Sequence, residues 1–245
     1  MNRFLWRGLL VCLILAFPLN LMAADALTEA QALYDKGGLE DIKASIDQYL
    51  KAVAANPGDY TANWQTARSY RTYADKYKKK KLTDWEKLCA EYGKKGMEYA
   101  QKAIDINGKG VEAQYYYGLS VGIYSDGVSI LTALSEGLKG KTQTAFETAY
   151  QLDKTYKEAG PILSLARFWA VLPWPLKDKD ASLKYYREYQ ATPHFATSDD
   201  APIYLAELLL DMGGSKNKAE AKALLEKAAQ GSDPYYSDWA KRLLK

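Results

Sequence analysis

Histidine occurs once in the 245 residues, at His194, and cysteine twice, at Cys12 and Cys89. That scarcity excludes a disulfide scaffold, a Cys/His zinc site and a histidine-based nucleophile triad in their ordinary forms. Proline is also sparse, with 8 residues, so little interrupts regular structure. Neither sign of charge dominates: Lys+Arg total 33 against 30 Asp+Glu. Two of the basic residues, Arg3 and Arg7, fall in a segment read below as removed, which leaves 31 against 30. Such a balance does not suit a protein that covers nucleic acid. What the chain does have is 48% hydrophobic and 26% charged residues, enough to bury a core. Alanine, leucine, lysine and 20 tyrosines are plentiful. The composition describes a helical protein and offers no enzyme's toolkit.

The first residues read as an address. Arg3 and Arg7 flank the start of the uncharged run Gly8–Phe17, followed by Pro18, Asn20 and the small residues Ala23 and Ala24. This is the order of a secretory signal peptide, residues 1–24, cleaved after Ala23 or Ala24. The run is short for a helix that must cross ~30 Å of hydrocarbon. Cys12 lies inside it rather than after it behind a small residue, so it is no lipid attachment site. The expected destination is periplasmic or secreted, with the membrane met only transiently through the leader. Cys89 is then the only thiol of the mature chain, and reads as a small apolar helix residue.

A repeat organises the rest. Five times a helix closes with an apolar or aromatic residue, a usually small residue three later, and a turn five beyond. The instances are Tyr49/Ala52/Pro57, Ala100/Ala103/Gly108, Phe146/Ala149/Lys154, Tyr185/Glu188/Pro193 and Leu225/Ala228/Asp233. Small residues Ser45, Gly96, Ala181 and Ala221 precede four of them by four positions. Small side chains once per turn on one face let a neighbouring helix approach closely. A second type of helix follows the turns, as in Thr61–Tyr73 and Val111–Val121.

These residues resemble the tetratricopeptide repeat (TPR), a helix–turn–helix unit of about 34 residues. Lys95–Gly122 and Asp47–Tyr70 carry the strongest match. The resemblance implies an all-α fold over residues 25–245, an array of antiparallel helix pairs forming a single irregular TPR-like solenoid. The anchors lie 51, 46, 39 and 40 residues apart, so every unit carries an insertion. The largest, Lys76–Lys95, must lengthen its helices or add one. The stretch Tyr115–Gln190 also resembles the T component that accompanies TRAP-type organic-acid transporters, although the lipobox of that family is missing.

Stacked repeats display the first helix of each unit on a common face, where functional side chains of this class usually sit. Helix spacing puts Trp64, Arg68 and Arg71 on that face in one helix, Tyr115, Leu119 and Gly122 in the next, and Leu165 and Phe168 in the helix after a Gly160-Pro161 turn. The candidate groove is therefore Trp64, Arg68, Arg71, Tyr115 and Phe168. A guanidinium fork grips a carboxylate at two points, and an indole beside it excludes water. The other reading leaves Trp64 in the core and pairs the arginines with Asp59 and Asp75. Lys78–Lys81 reads as a solvated helix end, and Phe168, Trp169 and Pro173-Trp174-Pro175 as a packed corner. Gly118, Gly122, Gly127, Gly137 and Gly140 call for close helix contact or a break, and His194 for a capping or solvent-facing position. No catalytic residue, cofactor or metal is expected. The expected function is to bind an envelope protein or peptide, a solute-binding protein among the candidates, with no nucleic acid. An accessory role beside an organic-acid transporter and an enzyme subunit on a helical-repeat frame are the alternatives.

Overall fold

Two turns built alike display the repeat. The chain is seen here in a computed structural model that describes residues 23–245. At the end of α2 (Leu39–Ala55) Asn56 donates its N–H to Ala52 O, and at the end of α4 (Trp85–Ile106) Asn107 donates to Ala103 O, both at 2.9 Å. The polar side chains that follow repeat the pattern. Asn63 Nδ2 returns to Pro57 O at 3.0 Å, and Gln114 Nε2 to Gly108 O at 3.1 Å. Each satisfies a turn carbonyl that the helix ladder cannot reach.

Around these turns the helices run in pairs. In the first compact unit, which ends at Lys139, α1 (23–36) precedes α2, and α3 (Tyr60–Lys79) precedes α4. After them come α5 (Val111–Val128) and the short α6 (Ile130–Ser135). The second unit, Gly140–Lys245, holds most of α7 (Leu138–Asp153), then α8 (Tyr156–Val171), α9 (Lys179–Gln190), α10 (Ala201–Met212), α11 (Ser215–Ala228) and α12 (Pro234–Leu243). A 3-10 turn, Pro193–Ala196, follows α9. No strand occurs among the described residues. The fold is all-α, as the repeat implied. All five anchors fall near the ends of α2, α4, α7, α9 and α11, and Ala52, Ala103 and Ala149 are fully buried. The expected leader, with Cys12, lies outside the described residues except for Ala23 and Ala24. No described helix is long and apolar enough to cross a membrane.

The insertion at Lys76–Lys95 lengthens helices: α3 has 20 residues and α4 has 22. Small residues weld α4 to α5. A β-carbon on Gly96 would stand 2.5 Å from Ser120 Oγ, and one on Gly127 would stand 2.3 Å from Ala90 N. Gly93 meets Tyr124 in the same way. Of the glycines read as contact or break, Gly127 makes the contact and Gly118 is buried. Gly137 follows α6 with φ +72°, whereas Gly122 and Gly140 border open space.

The turn expected at Gly160-Pro161 arrives earlier. Lys157, Glu158 and Ala159 adopt left-handed backbone, with φ of 46°, 60° and 60°. Right-handed helix resumes after them. Pro161 thereby sits in a first helical turn, where its missing N–H leaves no partner unsatisfied.

Candidate functional site

Asp59 opens α3 by accepting the Ala62 N–H at 2.8 Å, and from that cap the helix sets its faces. Trp64, Arg68, Arg71 and Asp75 follow at spacings of three and four, which places them on one side. Asp59 is therefore a cap and takes no arginine. Arg71 does pair with Asp75, at 3.7 Å.

Arg68 is 5% exposed. Its Nη2 donates to Gln31 Oε1 of α1 at 2.8 Å and to Tyr49 OH of α2 at 3.1 Å. The Tyr49 hydroxyl in turn donates to Gln31 Oε1 at 3.0 Å. Burial, partly offset by Arg68, pushes the Tyr49 phenol up to about 12, so it remains a neutral donor. The guanidinium lies 3.8 Å from the centroid of the Tyr34 ring and 5.1 Å from that of Trp64. One side chain thus links α1, α2 and α3 through neutral acceptors and aromatic faces.

Trp64 is half-buried and stacks on Tyr116, with centroids 5.9 Å apart and planes 7° from parallel. Tyr115 is half-buried and meets Tyr116 edge-on at 5.3 Å. Spacing put Tyr115 on the same face as Trp64; the ring stacked on the indole is that of Tyr116. Further along, Lys78 Nζ reaches Asp126 of α5 at 2.6 Å, and Lys79 shares Asp75 at 3.1 Å. Half of the four-lysine run is thus ion-paired and only Lys80 and Lys81 are exposed. Arg71 and Lys79 hold the Asp75 carboxyl below its ordinary range, although burial opposes them. Gly122, exposed on α5, leaves a gap without a side chain. On the first helices α1, α3 and α5 the aromatic rings of Tyr34, Trp64, Tyr115 and Tyr116 thus lie beside Arg68 and a set of ion pairs.

Phe168 belongs to the second unit and is buried there, edge-on to Phe146 at 6.4 Å and to Trp169 at 5.0 Å. A cleft of about 440 Å³ in that unit was not foreseen. It is lined by Ala170, Val171, Leu210 and Leu243, with Arg167 and Glu207 joined at 2.7 Å. The pair is supported by Tyr204 beneath the guanidinium and by Trp239 Nε1, which donates to Glu207. Its members are scattered over α8, α10 and α12, so no single helix pattern announces them. Trp174 is exposed and His194 lies in the 3-10 turn. Cys89 is fully buried between α3, α4 and α5, and burial pushes its thiol up to about 12. Among the described residues no group of three or more His, Cys, Asp or Glu side chains is placed to hold a metal.

Comparison with known proteins agrees with the repeat. The chain superposes on the thermophilic TPR protein TTC0263 of Thermus thermophilus with a TM-score of 0.62, at 17% identity over 91% of this chain and 100% of that one. Pseudomonas aeruginosa PilF gives 0.58 at 13% identity, covering 88% and 78%. YrrB, described as a TPR protein with an unusual peptide-binding site, gives 0.51 at 13%, covering 89% of each chain. No curated protein matches the chain. Residues 26–163 match the family model of the regulator of microtubule dynamics proteins 1-3. That match spans more than half of the sequence, and the chain belongs to this family.

Proposed function

We propose that the protein is a non-catalytic binding or scaffolding protein of the cell envelope, and that the α1–α3–α5 face of its first unit holds a segment of a partner protein. The observation that carries this reading is the disposition of Trp64, Arg71 and Tyr115. All three are half-buried on the first helices of successive repeats, and Trp64 flanks the buried Arg68. Half-buried aromatic and arginine side chains are the residues from which recognition surfaces draw most of their energy. The fold supports a protein partner, since stacked helix pairs create extended binding faces. The envelope location rests on the leader, and a solute-binding protein is one candidate partner.

A photo-crosslinking amino acid at position 115, compared with one at exposed Lys109, tests the reading in intact cells. A discrete adduct from position 115 alone is expected. Equal adducts from both positions, or none from either, would overturn the face. N-terminal sequencing of the same material should begin at Ala24 or Asp25; an intact Met1 would overturn the envelope assignment.

A further inference from the structure

Arg68 is a buried cation without a carboxylate. Four of the described arginines are at least partly buried, and the other three each have one: Arg71 has Asp75, Arg167 has Glu207 and Arg187 has Glu220. No acidic oxygen of the described residues lies within 4 Å of Arg68. Both of its hydrogen bonds leave from Nη2 and end on uncharged oxygens. Its Nε is buried and makes none. Nη1 makes none either and, unlike Nε, is not sealed from solvent. Along the same helix Arg71 and Lys79 share Asp75, and Lys78 meets Asp126. A buried charge is ordinarily compensated by a partner of opposite sign; here Asp35 of α1 is reached only through Gln31, whose Nε2 donates to Asp35 Oδ1 at 2.6 Å.

From this we infer that the segment held on the α1–α3–α5 face presents an acidic side chain, whose carboxylate meets Arg68 Nη1 while an apolar neighbour lies against Trp64 and Tyr115. The inference rests on the face proposed above and adds the chemistry of its occupant. The Tyr34 and Trp64 rings flank the guanidinium and Gln31 and Tyr49 hold its Nη2, so Nη1 is positioned before the ligand arrives. An occupant that offers only amides leaves the cation uncompensated, and selectivity follows from that difference.

Arg68→Gln is the obvious variant, but Arg68 joins three helices and its loss threatens the fold. The better variant moves a charge and keeps the total: Gln31→Glu with Asp35→Asn sets a carboxylate against Arg68 from within. The probes are an acetylated, amidated peptide alternating leucine and glutamate, its glutamine counterpart, and succinate, added to the full-length ¹⁵N-labelled chain. Arginine side-chain and indole NMR signals are followed. The glutamate peptide should shift the Arg68 and Trp64 signals and bind at least about tenfold more tightly than the glutamine peptide. The double variant should lose at least about tenfold in affinity with no fall in melting temperature. Equal binding of both peptides with a Trp64 shift would overturn the carboxylate and leave the face standing. Succinate binding as tightly as the peptide would overturn the peptide occupant in favour of a small organic acid. Unaltered affinity in the double variant, or no Arg68 shift with any probe, would overturn the inference itself.

Discussion

Gly93 of α4 touches the backbone of Tyr124 in α5: a β-carbon on Gly93 would stand 2.4 Å from Tyr124 N and 2.7 Å from Tyr124 Cα. Backbone atoms cannot swing aside as a side-chain tip can. Gly93→Ala should therefore destabilise the first unit by about 1–3 kcal/mol, despite a gain in helix propensity of ~1 kcal/mol. Gly122→Ala, with nothing within 4 Å, should stabilise by about 0.5–1 kcal/mol. Urea titrations of both variants check the opposite signs.

The anchor and turn positions of the repeat should also part company. Ala103 is fully buried and Lys109 is exposed in the turn beyond it. Ala103→Leu forces extra methylenes into a packed seam and should cost about 1–3 kcal/mol. Lys109→Ala should cost less than ~0.5 kcal/mol. Thermal melts that rank the two the other way would displace the repeat register.

Lys157 is exposed and holds φ at 46° in the left-handed run before α8. A β-carbon makes that conformation unfavourable by roughly 1–2 kcal/mol, and glycine escapes the penalty. Lys157→Gly should accordingly raise the melting temperature, whereas glycine at a right-handed position such as Lys184 in α9 should lower it. A loss of stability at position 157 would contradict the left-handed backbone.

The buried Cys89 thiol donates to Ala74 O and is pushed up to about 12 by burial. It should resist alkylation in the native protein at pH 8, since the thiolate is the reactive form. Mass spectrometry of the Cys89 peptide should show labelling that rises only as urea unfolds the chain. Rapid labelling without denaturant would place Cys89 at the surface.

Glu220 accepts two hydrogen bonds from Arg187, one of them from Nη2 at 2.8 Å, and the guanidinium holds its carboxyl below the ordinary value of 4.5. A folded value below the unfolded one gives stability that is complete above pH 4.5 and fades as the pH falls through the lower folded value. Wild type should therefore exceed Glu220→Gln in melting temperature at pH 7, and the gap should close under acid. A gap that widens as pH falls would reverse the sign of the pairing.

The helix pairing was legible because Ala52, Ala103 and Ala149 have to be small, and the distance from each to the residue three before and the turn five after survives the insertions between units. The close approach at Gly127 could be read for the same reason. The left-handed run could not, because Lys157, Glu158 and Ala159 carry no glycine to announce it. Within the candidate face, spacing placed Trp64, Arg68 and Arg71 together on α3. It did not supply Gln31, Tyr34 and Tyr49, because these come from α1 and α2 and meet Arg68 only through tertiary packing. The choice between Tyr115 and Tyr116 as the ring against Trp64 depends on a rotation of α5 finer than helix periodicity resolves.

The touching backbones of α4 and α5 also bear on how the first unit opens. Exchange of an amide proton with solvent needs a hydrogen bond broken and water admitted. At Gly93 and Gly127 backbone meets backbone, and no flexible side-chain tip stands between the helices to move aside and let water in. Those amides should exchange only when α4 and α5 separate as a pair, later than the amides of α6, a helix of six residues. Glycine, among the weakest helix formers as a single residue, would then mark the stretch of the first unit that is slowest to give up its amide protons.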